Sequence, residues 1–138
     1  MPLDAGDVVA IVNLAHAFNW AVDRHEPQAW TDTFTADGEF RSPLGNATGH
    51  AALLEWISDA VASLSGTRHC SVNEVVDGDG DHATMRSSYF VVRAEDTPPS
   101  IFLTGGYDDE LARVDGRWRF ARRTHHLDPG GSQPGAKA

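Results

Sequence analysis

Residues 100–127 read SIFLTGGYDDELARVDGRWRFARRTHHL, and the reading of this stretch decides the fold. Two runs rich in β-branched and aromatic residues, Ser100–Val114 and Arg117–Leu127, flank Asp115-Gly116, a dipeptide suited to a tight hairpin turn. Ala83–Ala94 is a third such run, separated from Ser100 by the breaker Thr97-Pro98-Pro99. Upstream of it, Asp77-Gly78-Asp79-Gly80 signals a turn and Thr67–Val76 a further strand. Strands joined this way form an antiparallel meander. Gly105-Gly106 reads as a bulge or bend that curves the sheet.

N-terminal to the strands the period changes. Val8, Ile11, Ala15, Phe18 and Val22 recur at helical spacing behind the capping candidates Asp4 and Asp7. Pro27 opens a second short helix carrying Trp30 and Phe34, with Asp37-Gly38 as its stop. Glu39–Ser42 reads as a short strand, and Leu53, Leu54, Ile57, Val61 and Leu64 as one face of a third helix ending near Gly66. Helices first and strands afterwards predict an α+β domain over 1–127 with the helices on one face of the sheet. Residues 128–138, rich in Gly and Pro, read as a disordered tail.

At 138 residues the chain is long enough for one domain with a continuous core. Eleven Lys and Arg against 20 Asp and Glu leave a formal charge of −9, which disfavours nucleic acid and anionic membrane surfaces. The single Cys70 excludes an intramolecular disulfide. With neither a signal peptide nor a membrane-length apolar run, the expected location is cytoplasmic. No His-x-His or His-Glu-x-x-His pattern occurs, so neither a metal nor another cofactor is expected.

Strict alternation places His69, Ser71 and Asn73 on one face of their strand, with Cys70, Val72 and Glu74 on the other. Met85, Ser87, Tyr89 and Val91 share a face, as do Leu103, Gly105, Tyr107 and Asp109. Faces that mix apolar and polar groups suit either a ligand pocket or a solvated sheet surface. The chemical candidates are Asp23, at the end of the first helix, and His69. A carboxylate bonded to one imidazole nitrogen fixes the tautomer and raises the basicity of the other nitrogen. The plainer alternative is that Asp23 pairs with Arg24 at the surface and His69 is a half-buried strand residue. Of His125-His126, at most one can face a shared site. Arg117, Arg119, Arg122 and Arg123 form a basic cluster, read as pairing with surface carboxylates in preference to holding an anionic substrate group. Trp118 and Phe120 are expected in the core. Phe40, Trp56 and Met85 are candidates for an apolar pocket wall, and Tyr89 or Tyr107 for donation to developing oxyanion charge.

From about Val8 to Leu127 the chain resembles the nuclear transport factor 2-like superfamily, and within it the SnoaL-like branch. The matching pieces are Trp20–Arg24, Trp30–Gly38, Arg68–Asn73, Gly105–Leu111 and Asp115–Phe120. The resemblance implies a cone, a curved sheet wrapped round three helices with a pocket inside, and a homodimer through the sheet. Scytalone dehydratase and hexachlorocyclohexane dehydrochlorinase use an Asp–His dyad whose members fall on Asp23 and His69. The dehydratase's tyrosine beside the Asp is Val22 here, its second tyrosine falls near Phe40, and its second catalytic His has no clear match. The resemblance thus implies a cofactor-independent lyase, isomerase or cyclase acting on an apolar or polyketide-like molecule in natural-product biosynthesis or catabolism. A non-catalytic ligand-binding or dimeric interaction module, or the small subunit of a ring-hydroxylating oxygenase, would use the same fold.

Overall fold

The computed structural model describes residues 1–130. Helix α1 spans Ala5–Asp23, α2 Pro27–Thr31 and α3 His50–Ala60, the last followed by a 3₁₀ turn at Val61–Ser63. The strands are β1 (Phe34–Arg41), β2 (Ala47–Thr48), β3 (Thr67–Asp79), β4 (His82–Arg93), β5 (Ser100–Val114) and β6 (Arg117–Leu127). They form one sheet in the order β2-β1-β6-β5-β4-β3, antiparallel except where β1 runs parallel to β6. The α+β class and the curved sheet with N-terminal helices are those expected from the sequence.

A reciprocal cap starts α1. The Asp4 carboxylate accepts from the Asp7 N–H at 2.8 Å, and the Asp7 carboxylate accepts from the Asp4 N–H at 3.1 Å. By length and composition α1 could cross a membrane, but here its apolar stripe of Ile11, Leu14, Ala15, Phe18 and Val22 packs into the core. Phe18 sits at the centre, with its ring centroid 5.2–6.2 Å from those of Trp30, Phe34, Phe40, Tyr107 and Phe120.

Several boundaries differ from the sequence reading. The second helix stops at Thr31, and Phe34 begins β1 instead of continuing the helix. The Thr33 hydroxyl donates to the Trp30 carbonyl at 2.7 Å, and the Thr33 carbonyl accepts from the Phe120 N–H at 2.9 Å, which hands the chain to the sheet. Asp37-Gly38 is therefore no helix stop. It lies in a bulge of β1, where a Cβ on Gly38 would stand 2.8 Å from Phe34 Cβ. The turn after β3 tightens to Gly80-Asp81. Gly105 and Gly106 pair regularly with both neighbouring strands, so they are no bulge. At the C-terminus, Asp128 is tied to β5: its N–H donates to the Thr104 carbonyl at 3.0 Å, and its carboxylate accepts from the Thr104 hydroxyl at 2.8 Å. The tail expected to be disordered lies, from residue 131, outside the described residues.

Two bulges reset which side chains face inward. In β3 the register shifts between Val72 and Val75, with Asn73 at φ 59°, so Asn73 turns outward and Glu74 inward. In β6 the pairing steps from Phe120 to Arg122. Trp118 and Phe120 face the core as expected, but beyond the bulge Arg123 and His125 take the inward positions that strict alternation would give to Arg122 and Thr124.

Candidate active site

Asp23 is the last residue of α1, and α1 lies along β3, the edge strand of the sheet. An edge strand leaves alternate N–H groups unpaired, and the Asp23 carboxylate takes one of them. The His69 N–H donates to both Asp23 oxygens, at 3.0 and 3.1 Å. The His69 ring adds a third bond, from Nδ1 to Asp23 Oδ1 at 2.8 Å. A carboxylate only accepts, so Nδ1 carries a proton, and in the neutral ring Nε2 keeps its lone pair. Both side chains are nearly buried, at 10% and 11% exposure.

His69 lines a cavity of about 570 Å³ between the helices and the inner face of the sheet. Trp30, Phe40 and Trp56 form an aromatic wall, with Trp30 and Trp56 stacked at 5.8 Å. Tyr89, Tyr107 and His125 face them from the sheet. Pro43, Leu44 and Asp59 are exposed and rim the mouth. Of the residues proposed from sequence, His69, Phe40, Trp56, Tyr89 and Tyr107 line this cavity and Asp23 backs it through His69. Met85 does not. It is buried in the core opposite Asp109, farther along β4 than the cavity reaches.

The residue that sequence reasoning underrated is His125. Its Nδ1 lies 2.7 Å from Ser42 Oγ and its Nε2 2.5 Å from the Tyr89 hydroxyl. Burial, reinforced by the Arg123 charge, lowers its pKa to about 4, so the ring is neutral at pH 7. Burial raises Tyr89 well above the ordinary phenol range and Tyr107 to about 12. The signal was hidden because a bulge, not the alternation, decides that His125 and not His126 points inward.

Behind Tyr107 lies a second surprise. Arg123, read from sequence as part of a surface cluster, is fully buried and donates from Nε to Asp109 Oδ1 at 3.1 Å. Its guanidinium lies 3.6 Å from the Tyr107 ring centroid and 4.4 Å from those of Phe18 and Phe120. Burial pushes the Asp109 carboxyl up to about 6 against the opposing pull of Arg123. Arg122 behaves as expected of the cluster, bridging Glu39 and Glu110 at the surface. Among the described residues no group of three or more His, Cys, Asp or Glu side chains is placed to hold a metal.

A curved sheet packed on N-terminal helices, enclosing an apolar cavity with a carboxylate-bound imidazole in its wall, defines a cone-shaped α+β fold. The chain belongs to the SnoaL-like domain family, which it matches over residues 4–124. No curated protein matches it. Among solved structures it is similar to a cystatin-like-fold protein of unknown function from Nostoc punctiforme, with 30% identity, TM-score 0.89 and coverage of 94% of this chain and 96% of that one. It is also similar to a proposed scytalone dehydratase from Novosphingobium aromaticivorans, with 26% identity, TM-score 0.76 and coverage of 88% and 84%. A proposed aromatic ring hydroxylase from the same organism shares 28% identity, with TM-score 0.78 and 91% of each chain covered.

Proposed function

We propose that this protein is an enzyme that moves protons on an uncharged, apolar, polyketide-like molecule, giving elimination, isomerisation or cyclisation. The observation that carries the reading is the 2.8 Å bond from Asp23 to Nδ1 of a histidine whose ring lines the apolar cavity. In this reading Nε2 of His69 removes a proton from carbon, and Asp23 holds the tautomer and balances the imidazolium charge that appears. A tyrosine on the sheet side donates to the oxygen that gains charge. Phe40 and Trp56 hold the flat apolar body of the substrate, and Trp30 extends that wall. Base and donor suffice for such proton transfers, so the reaction asks for no cofactor. The similarity to a proposed dehydratase supports the same chemistry.

The test uses 2-tetralone, a bicyclic ketone with exchangeable α-protons, in D₂O. Wild-type protein should speed its α-deuteration above the buffer rate, and His69→Ala should lose about 10²-fold or more of that acceleration. Exchange at the buffer rate with wild type, or unchanged exchange in the variant, removes the general-base reading. The cavity would then be that of a ligand carrier.

A further inference from the structure

We infer that Ser42, His125 and Tyr89 form a directed hydrogen-bond chain that makes Tyr89 the donor arm of the cavity, opposite in polarity to His69. The inference rests on the proposed base role of His69 and specifies what faces it.

The direction follows from counting hydrogens. Ser42 Oγ already accepts the Leu44 N–H at 3.0 Å, and among the described residues its own hydrogen has no acceptor other than His125 Nδ1, 2.7 Å away. Pointing that hydrogen at Nδ1 places the single proton of the neutral imidazole on Nε2. Nε2–H then donates to the Tyr89 oxygen, which frees the phenolic hydrogen to point into the cavity. The opposite tautomer would leave the Ser42 hydrogen with no acceptor among the described residues and turn the Tyr89 hydroxyl toward His125. The two histidines of one cavity therefore carry opposite tautomers: His69 is protonated at Nδ1 and bare at Nε2, His125 is protonated at Nε2.

The spacing lets one small molecule meet both arms. His69 pairs with Val91, and Tyr89 lies two residues along the same strand on the same face. Diagonal neighbours of this kind stand roughly 7–8 Å apart. A neutral ketone or alcohol can thus place its C–H at His69 Nε2 and its oxygen at the Tyr89 hydroxyl. As charge builds on that oxygen, Tyr89 donates to it and His125 Nε2–H steadies the phenol in turn. No proton needs to leave His125.

The experiment is long-range ¹H–¹⁵N correlation of the full-length, ¹⁵N-histidine-labelled protein at pH 7, with 2-tetralone exchange alongside. The expected wild-type spectrum shows His69 protonated at Nδ1 and His125 protonated at Nε2. Ser42→Ala should convert His125 to a mixture of tautomers, and Tyr89→Phe should lower 2-tetralone exchange about tenfold or more. His125 protonated at Nδ1, mixed or doubly protonated in wild type overturns the chain, as does an unmixed Nε2–H form in Ser42→Ala. Unchanged exchange in Tyr89→Phe overturns the donor role. Each of these can occur while His69→Ala still abolishes exchange, so the donor arm and the base reading fail separately.

Discussion

A single carboxylate, Asp23, holds the His69 backbone and the His69 ring at once, so its removal has both a structural and a chemical effect. Asp23→Asn keeps the shape, but its amide nitrogen cannot accept. We expect a loss of about 1–3 kcal/mol in urea unfolding together with at least 10²-fold slower 2-tetralone exchange. Equal loss of stability with full exchange would make Asp23 purely structural. At the same scale, His125 gives the fold a pH dependence. Unfolded chains bind this proton near 6.5 and the folded protein only near 4. Stability therefore falls as pH drops through that window, by up to about 3 kcal/mol. Asp109, raised to about 6, works in the opposite sense, since its contribution is complete below its unfolded value near 4 and fades as pH rises through 6. Comparing wild type with His125→Gln isolates the histidine: the stability lost by wild type between pH 7 and 4 should exceed that lost by the variant.

At the scale of the elements, the site depends on where strands bend and how closely they approach. A Cβ on Gly105 would fall 1.9 Å from the His126 carbonyl oxygen and 2.8 Å from Tyr89 Cε1. The backbone cannot yield that distance and the tyrosine ring can only move away. Gly105→Ala should thus cost about 3 kcal/mol in thermal or urea unfolding and also displace Tyr89, visible as a changed His125 tautomer in the ¹⁵N spectrum. The end of β5 at Val114 and the start of β6 at Arg117 were legible because a two-residue Asp-Gly turn lies between them, and the start of β5 at Ser100 because Pro98-Pro99 precedes it. The inward faces were legible only up to the first bulge. Alternation places His69 and Ser71 correctly and then fails at Asn73, just as it places Trp118 and Phe120 correctly and then misassigns Arg123. A bulge inserts one residue into a pairing with a partner strand, and no local signal in the bulged strand announces it.

On the scale of the whole molecule, the buried Arg123–Asp109 pair ties β6 to β5 beneath the cavity, in contact with Phe18 of α1. Asp109→Asn would leave a cation in the core without its counter-charge, and we expect about 3–5 kcal/mol of destabilisation by urea. The double variant Asp109→Leu with Arg123→Met should recover most of it, because the cost lies in the uncompensated charge. On the far side of the sheet, Val72, Val75 and Ile101 stand exposed. We propose that a second copy covers this face. Sedimentation should show a dimer that Val75→Glu weakens, whereas a monomer at all concentrations would refute the idea.

The sequence by itself determined the three helices and the four long strands that follow them, the amphipathic α1, the Asp–Gly hairpin and the candidate pair Asp23 and His69, because turn chemistry, periodicity and motif are properties of neighbouring residues. Only the tertiary structure decided that Asp23 reaches across to an edge-strand N–H, that His125 and not His126 enters the cavity, and that Arg123 is buried while Met85 lies outside the site. The first depends on how α1 docks against the edge of the sheet, and the others on bulges and register within the sheet, where a one-residue slip exchanges the inward and outward faces.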